Sequence, residues 1–247
     1  MVAGARSSIR RWFDTGVDAA LFRIDNFPRP DYHPADDTRD GARHSAGARS
    51  RWDRIVPLLE PAPPVIGTAL DIGCNGGYFT VNLARRGVAV IGVEREPKFR
   101  RTVTTSLRRG GHSTAGVLDL DVTPTTVDLL PSVDLVLFLS VWHHMVKAWG
   151  IDAADHLLKS IWGACRAVMF FDSGESEMPA SWGLPDLGLD AAAWYADHLE
   201  RSCDSGRVVS LGRHQAFGPE GEPCQRTLFA VVRPTASEVL ARLVPDA

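Results

Sequence analysis

The stretch Thr68-Ala69-Leu70-Asp71-Ile72-Gly73-Cys74-Asn75-Gly76-Gly77-Tyr78-Phe79 decides how the rest of the chain is read. Residues 66–72 form a short apolar run of strand type. The glycine-rich run after it can turn sharply and bring backbone close to a ligand. A helical pattern over 79–86 follows, with Gly87 placed to end it. Working outward, the same strand, loop, helix rhythm repeats. Strands are predicted over 88–93, 114–118, 133–139 and 167–171, and helices over 97–109 and 151–165. The 133–139 run is almost purely apolar, as a strand covered on both faces must be. This alternation implies right-handed βαβ units and a parallel sheet. The tail departs from it: after a helix near 190–203, strands at 208–211 and 227–232 are joined without a helix and should pair antiparallel.

Upstream, residues 48–59 read as a helix with Trp52, Ile55, Val56 and Leu59 on one face and Pro57 inside it. Residues 1–25 read as an amphipathic helix carrying Trp12, Phe13, Val17 and Leu21. Residues 26–46 lack any period and read as a lid-like loop. His33, Asp36, Asp37, Asp40 and His44 in that loop are expected to be solvated rather than a ligand set. The 247 residues, 45% hydrophobic, suit one large α/β domain plus an N-terminal accessory. Net charge −3 gives no global basic field, which argues against nucleic acid as a partner. No secretory or membrane-spanning segment is present, so a cytoplasmic location is expected. The four cysteines, Cys74, Cys165, Cys203 and Cys224, form no C-x-x-C pair and are expected to be free thiols.

The chemistry of the cofactor follows from which residues end the strands. In an open parallel sheet, ligands sit beyond the carboxyl ends of the strands. A dinucleotide site needs G-x-G-x-x-G, so that pyrophosphate meets a helix N-terminus. Here the spacing is G-x-x-G-G, and Asp71 stands two positions before the first glycine. A carboxylate there repels pyrophosphate and favours an ammonium, which S-adenosylmethionine (SAM) has. Asn75 tolerates left-handed backbone where a glycine is common. Glu94 ends the second strand, 23 residues after Asp71, where an acid accepts bonds from ribose hydroxyls. Asp119, with Leu120 beside it, ends the third and can take an adenine amino group. Asp121 is the alternative. Arg51 or Arg54 can fork onto a carboxylate, and Arg51 is the candidate taken forward.

The 68–79 segment resembles motif I of the class I SAM-dependent methyltransferases, with Glu94 and Asp119-Leu120 at the positions of that family's ribose and adenine contacts. The resemblance covers roughly residues 50–233 and departs at Asn75, where the middle glycine is usual. It implies a Rossmann-like, doubly wound α/β fold. The sheet would have seven mostly parallel strands and an antiparallel last one, with an N-terminal helical extension. Residues 1–49 would be that helix and lid-like loop, and residues 50–247 the methyltransferase domain. The cofactor would be SAM, held by Asp71, Gly73, Cys74, Asn75, Gly77, Tyr78, Glu94, Asp119, Leu120, Ser140 and Arg51.

The fourth strand runs into Ser140-Val141-Trp142-His143-His144. This resembles the fourth-strand motif of small-molecule, glycan and lipid methyltransferases. A similar Ser-Val-x-His-His run belongs to methyltransferase domains that modify bacterial O-antigen polysaccharide ends. The resemblance implies methyl transfer to an oxygen of a small molecule, sugar or sugar phosphate. A histidine base would take the hydroxyl proton, and His143 and His144 are the two candidates. On a helix they point about 100° apart, so one faces the pocket and the other packs. Ser140 is a poor ligand, so no metal is expected. Tyr78, Trp142 and Trp182 are candidate pocket walls. An RNA methyltransferase, on the strength of the arginines over 43–54, and a non-catalytic SAM-binding protein are the alternatives.

Overall fold

The computed structural model describes residues 43–59 and 66–243; the helix expected over 1–25 and most of the 26–46 loop lie outside them. Helix α1 (Arg43–Leu59) leads into the sheet. Then follow β1 (Thr68–Ile72), α2 (Tyr78–Arg85), β2 (Ala89–Val93), α3 (Pro97–Arg109), β3 (Ala115–Leu118) and β4 (Val133–Leu139). Helices α4 (Trp142–Trp149) and α5 (Ile151–Ala164) precede β5 (Cys165–Asp172). The chain continues through α6 (Ala191–Ser202), β6 (Arg207–Phe217), β7 (Pro223–Val232) and α7 (Ser237–Leu243).

The seven strands form one sheet in the order β3-β2-β1-β4-β5-β7-β6. Strands β1 to β5 pair in parallel, whereas β7 runs antiparallel to both β5 and β6. The order reverses at β1, with β2 on one side and β4 on the other. That is the switch point where such sheets bind ligands. The Rossmann-like reading of the sheet is borne out.

Side-chain alternation splits the core between the two faces. Leu70, Ile72, Val136, Phe138, Met169 and Phe171 pack against α4, α5 and α6. Ala69, Leu135, Leu137, Val168 and Phe170 pack against α1, α2 and α7. Asp71 shares the parity of Ala69, and Asp172 that of Phe170, so both acids fall on the α1–α2 side.

Three boundaries differ from expectation. Helix α1 starts at Arg43, inside the segment read as loop, and passes residues 49 and 50 without a break. A Cβ on Gly47 would stand 2.8 Å from the Gln215 carbonyl oxygen, so glycine lets α1 close onto β6. Strands β6 and β7 run to 11 and 10 residues. The polar half of β6 (Arg213, His214, Gln215) hid it, because an irregularity between Ser210 and Arg213 interrupts the alternation. Helix α7 carried no signal that was read.

Candidate active site

The loop after β1 is shaped by three left-handed residues: Gly73 (φ 68°), Asn75 (φ 49°) and Gly77 (φ 84°). Asn75 thus adopts the conformation expected of it, and its Oδ1 accepts from the Gly76 N–H at 2.7 Å. Gly77 is fixed by space as well: a Cβ would meet Val103 Cγ2 of α3 at 2.8 Å. A Cβ on Gly73 would meet Val141 Cγ2 at 2.8 Å, so this loop touches the residue just past β4. Cys74 is buried beneath the loop. Burial first, then the Asp71 and Glu94 charges, hold its thiol well above the ordinary range.

Asp71 is buried, and its Oδ2 accepts from Thr80 Oγ1 (2.6 Å) and Thr80 N–H (3.1 Å). Burial raises its pKa to about 6; the Thr80 bonds and the Arg51 charge oppose the rise. Glu94, also buried, accepts from Asn75 N–H (2.9 Å) and Glu96 N–H (2.8 Å), one on each oxygen. It therefore ties the β1 loop to the exit of β2, and each oxygen keeps a second lone pair for a ligand hydroxyl. Two buried acids flanking a backbone cradle suit a ligand with an ammonium and hydroxyls, and oppose a phosphate. The donor set fits SAM.

The other proposed cofactor contacts are placed differently. Asp119 is largely exposed and ion-paired to Arg100 at 2.7 Å; Leu120 packs half-buried against the core. Tyr78 is buried edge-on to Phe79 (5.3 Å) in the core on the α1–α2 side. Trp142 is also core, between Trp194, Tyr195 and His198. Arg54 turns to β6 and donates to the Leu211 (3.2 Å) and Arg213 (2.6 Å) carbonyls. Arg51 is buried, with Nη1 3.1 Å from both Asp172 Oδ2 and Ser140 Oγ.

The two histidines separate clearly. His143 is buried, and its Nδ1 accepts from the Gly174 N–H at 2.9 Å, with Ser173 Oγ at 3.2 Å. Burial, then the neighbouring His144 and Arg226, push its pKa well below the usual value. It is neutral with its proton on Nε2, so it has no free lone pair to act as a base. His144 is exposed at the start of α4, 5.2 Å from the Trp182 ring, over which Lys147 Nζ also lies at 3.9 Å. Partial burial, with the Arg226, Lys147 and Arg95 charges, lowers its pKa to about 4. It is neutral at ordinary pH with a lone pair available.

Sequence reasoning missed a buried polar network beside these residues. Asp172, at the end of β5, faces Arg51 from α1 and His214 Nε2 from β6 (2.8 Å) on Oδ2. Its Oδ1 accepts from the N–H and, at 3.0 Å, the Oγ of Ser140. Arg226 on β7 joins Ser140 Oγ (3.2 Å) to Glu177 (2.7 Å), and Glu175 accepts from Thr227 N–H at 2.6 Å. The partners lie up to 121 residues apart in sequence, so no local pattern announces them. Among the described residues no three His, Cys, Asp or Glu side chains are grouped to hold a metal ion.

The fold is a Rossmann-like α/β sheet, and this site lies at its switch point. Residues 70–166 match the family described as a methyltransferase domain. Among curated proteins, the chain is similar to the O-antigen chain terminator bifunctional methyltransferase/kinase WbdD of Escherichia coli. The two are 28% identical over 139 residues, covering 54% of this chain and 19% of that protein. A ubiquinone biosynthesis O-methyltransferase of Methylobacterium sp. (strain 4-46) is 24% identical over 71% of this chain and 84% of its own length. A structure of WbdD superposes with TM-score 0.61 at 20% identity, over 85% of this chain and 46% of that one. Magnesium protoporphyrin IX methyltransferase (ChlM) from Synechocystis PCC 6803, solved with bound SAM, gives 0.57 at 14% identity, over 92% and 96%. The matched segment thus spans about a fifth of the length of the WbdD protein. No helix among the described residues is long and apolar enough to cross a membrane.

Proposed function

We propose that the chain methylates an oxygen of a small molecule, sugar or sugar phosphate, with His144 as the base. One observation carries this reading: His144 is exposed and neutral, three residues past Val141, which touches Gly73 of the cofactor loop. The names of two relatives point the same way, one an O-antigen chain terminator and the other an O-methyltransferase.

When bound, SAM supplies a methyl group already activated by a positively charged sulfur. Asp71, Glu94 and the backbone of residues 73–77 would hold it. What is left to the protein is alignment and proton removal. His144 accepts the hydroxyl proton on its free ring nitrogen and later passes it to water. His143 keeps the start of α4 in place through its bond to Gly174. The Trp182 ring lies beside both histidines, 5.9 Å from His143 and 5.2 Å from His144.

The test begins with calorimetry using SAM and S-adenosylhomocysteine, then follows labelled methyl transfer to sugars, sugar phosphates and phenols. His144→Ala should lower transfer by about 10²- to 10⁴-fold, the usual worth of a positioned base, while S-adenosylhomocysteine binding holds. In the wild type the rate should stay flat as pH falls from 8 to 5 and drop only near pH 4, where His144 protonates. An inflection near 6.5, or an unchanged His144→Ala rate, would remove the base from the mechanism.

A further inference from the structure

The ladder between β4 and β5 ends at the pair Leu139↔Asp172. One residue on, Ser140 adopts φ 57°, a left-handed conformation that an L-residue with a side chain rarely takes. No ladder partner remains to hold it there. Asp172 holds it instead. Its backbone oxygen accepts from Ser140 N–H at 3.1 Å, and its Oδ1 accepts from the same N–H and from Ser140 Oγ. The other carboxylate oxygen accepts from Arg51 Nη1 on α1 at 3.1 Å and lies 2.8 Å from His214 Nε2 on β6. Side-chain exposure at Asp172 and His214 is 0%, so water does not compete for these contacts.

The Ser140 turn decides what comes next. It directs Val141 against Gly73, at the heart of the cofactor loop, and it starts α4. The residues following Asp172 complete the grip: Ser173 Oγ and Gly174 N–H hold His143 Nδ1, and Tyr195 Oη donates to the Gly174 carbonyl at 2.6 Å. Three consecutive residues, Asp172 to Gly174, therefore grip residues 140 to 143, and Arg51 and Arg226 add bonds to Ser140 Oγ.

We propose that Asp172 is a positioning residue for SAM binding, acting by holding Ser140 in its left-handed turn so that Val141 closes the flank of the Gly73 loop. This rests on the cofactor site at residues 73–77 and on no particular acceptor. A role exerted by charge alone would need no particular backbone at residue 140. A role exerted through the turn predicts that glycine at 140, which takes positive φ freely, replaces what Asp172 supplies.

The experiment measures S-adenosylhomocysteine affinity by calorimetry for the wild type, Asp172→Asn, Ser140→Gly and the double variant, with thermal melts run alongside. Asp172→Asn should weaken binding by about tenfold or more, the scale of one released left-handed residue. The double variant should recover to within about threefold of Ser140→Gly alone. If Asp172→Asn does not fold, His214→Gln takes its place. It strips one anchor from Asp172 Oδ2, should weaken binding less, and should again be recovered by Ser140→Gly. Wild-type affinity in a folded Asp172→Asn or His214→Gln protein overturns the proposal. So does a loss that Ser140→Gly leaves uncorrected. Failure of the wild type to bind S-adenosylhomocysteine overturns the cofactor reading itself, a result the variants cannot mimic.

Discussion

The two halves of the sheet's carboxyl edge are built by different means. On the β1–β2 side, every polar contact is short in sequence. Asp71 meets Thr80 nine residues on, and Glu94 meets Asn75 nineteen residues back. On the β4–β5 side, Asp172 meets Arg51 across 121 positions and Arg226 meets Ser140 across 86. The first half is a backbone cradle with two acids whose charge is left for a ligand to answer. The second is a closed set of charges that answer one another. The difference teaches where strain and solvation sit before a ligand arrives. The cofactor half carries an unpaired buried carboxylate, whereas the other half carries a paired one.

That contrast predicts opposite signs for one substitution made in each half. Asp172→Asn strands Arg51 and His214 in a buried site, and breaking such a pair costs about 3–5 kcal/mol. Chemical denaturation at pH 7 should show this loss. The opposing groups hold the Asp172 carboxyl far below its unfolded value of 3.8, even against its burial. Its contribution is therefore present above that pH and fades as pH falls below it. The stability gap between wild type and Asp172→Asn should narrow progressively as pH falls below about 4.

Asp71→Asn should do the reverse. Its pKa is raised from 3.8 to about 6 chiefly by burial, so the folded state holds its proton longer than the unfolded chain. Stability then falls as pH climbs from about 4 to 6 and stays low above that. A shift of this size corresponds to about 3 kcal/mol. The amide variant lacks the penalty, so the ligand-free protein should be more stable than wild type at pH 7 and equal to it below pH 4. SAM affinity should fall at the same time, because the carboxylate that answers the ammonium is gone. If Asp71→Asn destabilises at pH 7, the acid is serving mainly as a cap for α2, and the contrast between the halves dissolves.

This difference also explains what could be read before the fold was known. The β1 loop, Asp71, Glu94 and the left-handed Asn75 were legible because their geometry is written within about two dozen residues. The β4 run was legible because burial on both faces leaves apolar side chains at every position but Asp134. Asp172, His214 and Arg226 were not, since an isolated Asp, His or Arg at a strand end has no pattern until the sheet order brings β5, β6 and β7 together. His143 and His144 could be named but not told apart. Only the Gly174 N–H, 31 residues away, fixes the tautomer of His143. Asp119 shows the converse: a well-spaced acid that is itself exposed and whose immediate partner is the half-buried Arg100.

Within the cofactor half, steric effects should be smaller and local. Gly77→Ala places a methyl 2.8 Å from Val103 Cγ2 and asks alanine to hold φ 84°. The expected loss is about 2 kcal/mol. Adding Val103→Ala relieves the contact but not the backbone cost, and Val103 is itself fully buried, so the pair should recover only part of the SAM affinity lost. Full recovery would mean that the left-handed turn tolerates a side chain.

The smallest effect is expected at Asn75, where the chain departs from the usual glycine. Glycine there releases the cost of φ 49° but also loses the Oδ1 contact to the Gly76 N–H. Glycine further adds disorder to the unfolded chain. These terms oppose one another at about 0.5–1 kcal/mol each, so Asn75→Gly should move stability by less than about 1 kcal/mol. The bond to Glu94 comes from the backbone N–H of residue 75, so glycine keeps it, and SAM affinity should change little. Asn75→Ala keeps that bond too, but it has neither the local amide nor glycine's freedom, and should lose about 1–2 kcal/mol. The order Asn ≈ Gly > Ala, measured by thermal melts with and without S-adenosylhomocysteine, assigns Asn75 a conformational role. A selective loss of affinity in Asn75→Gly would instead make its side chain a ligand contact.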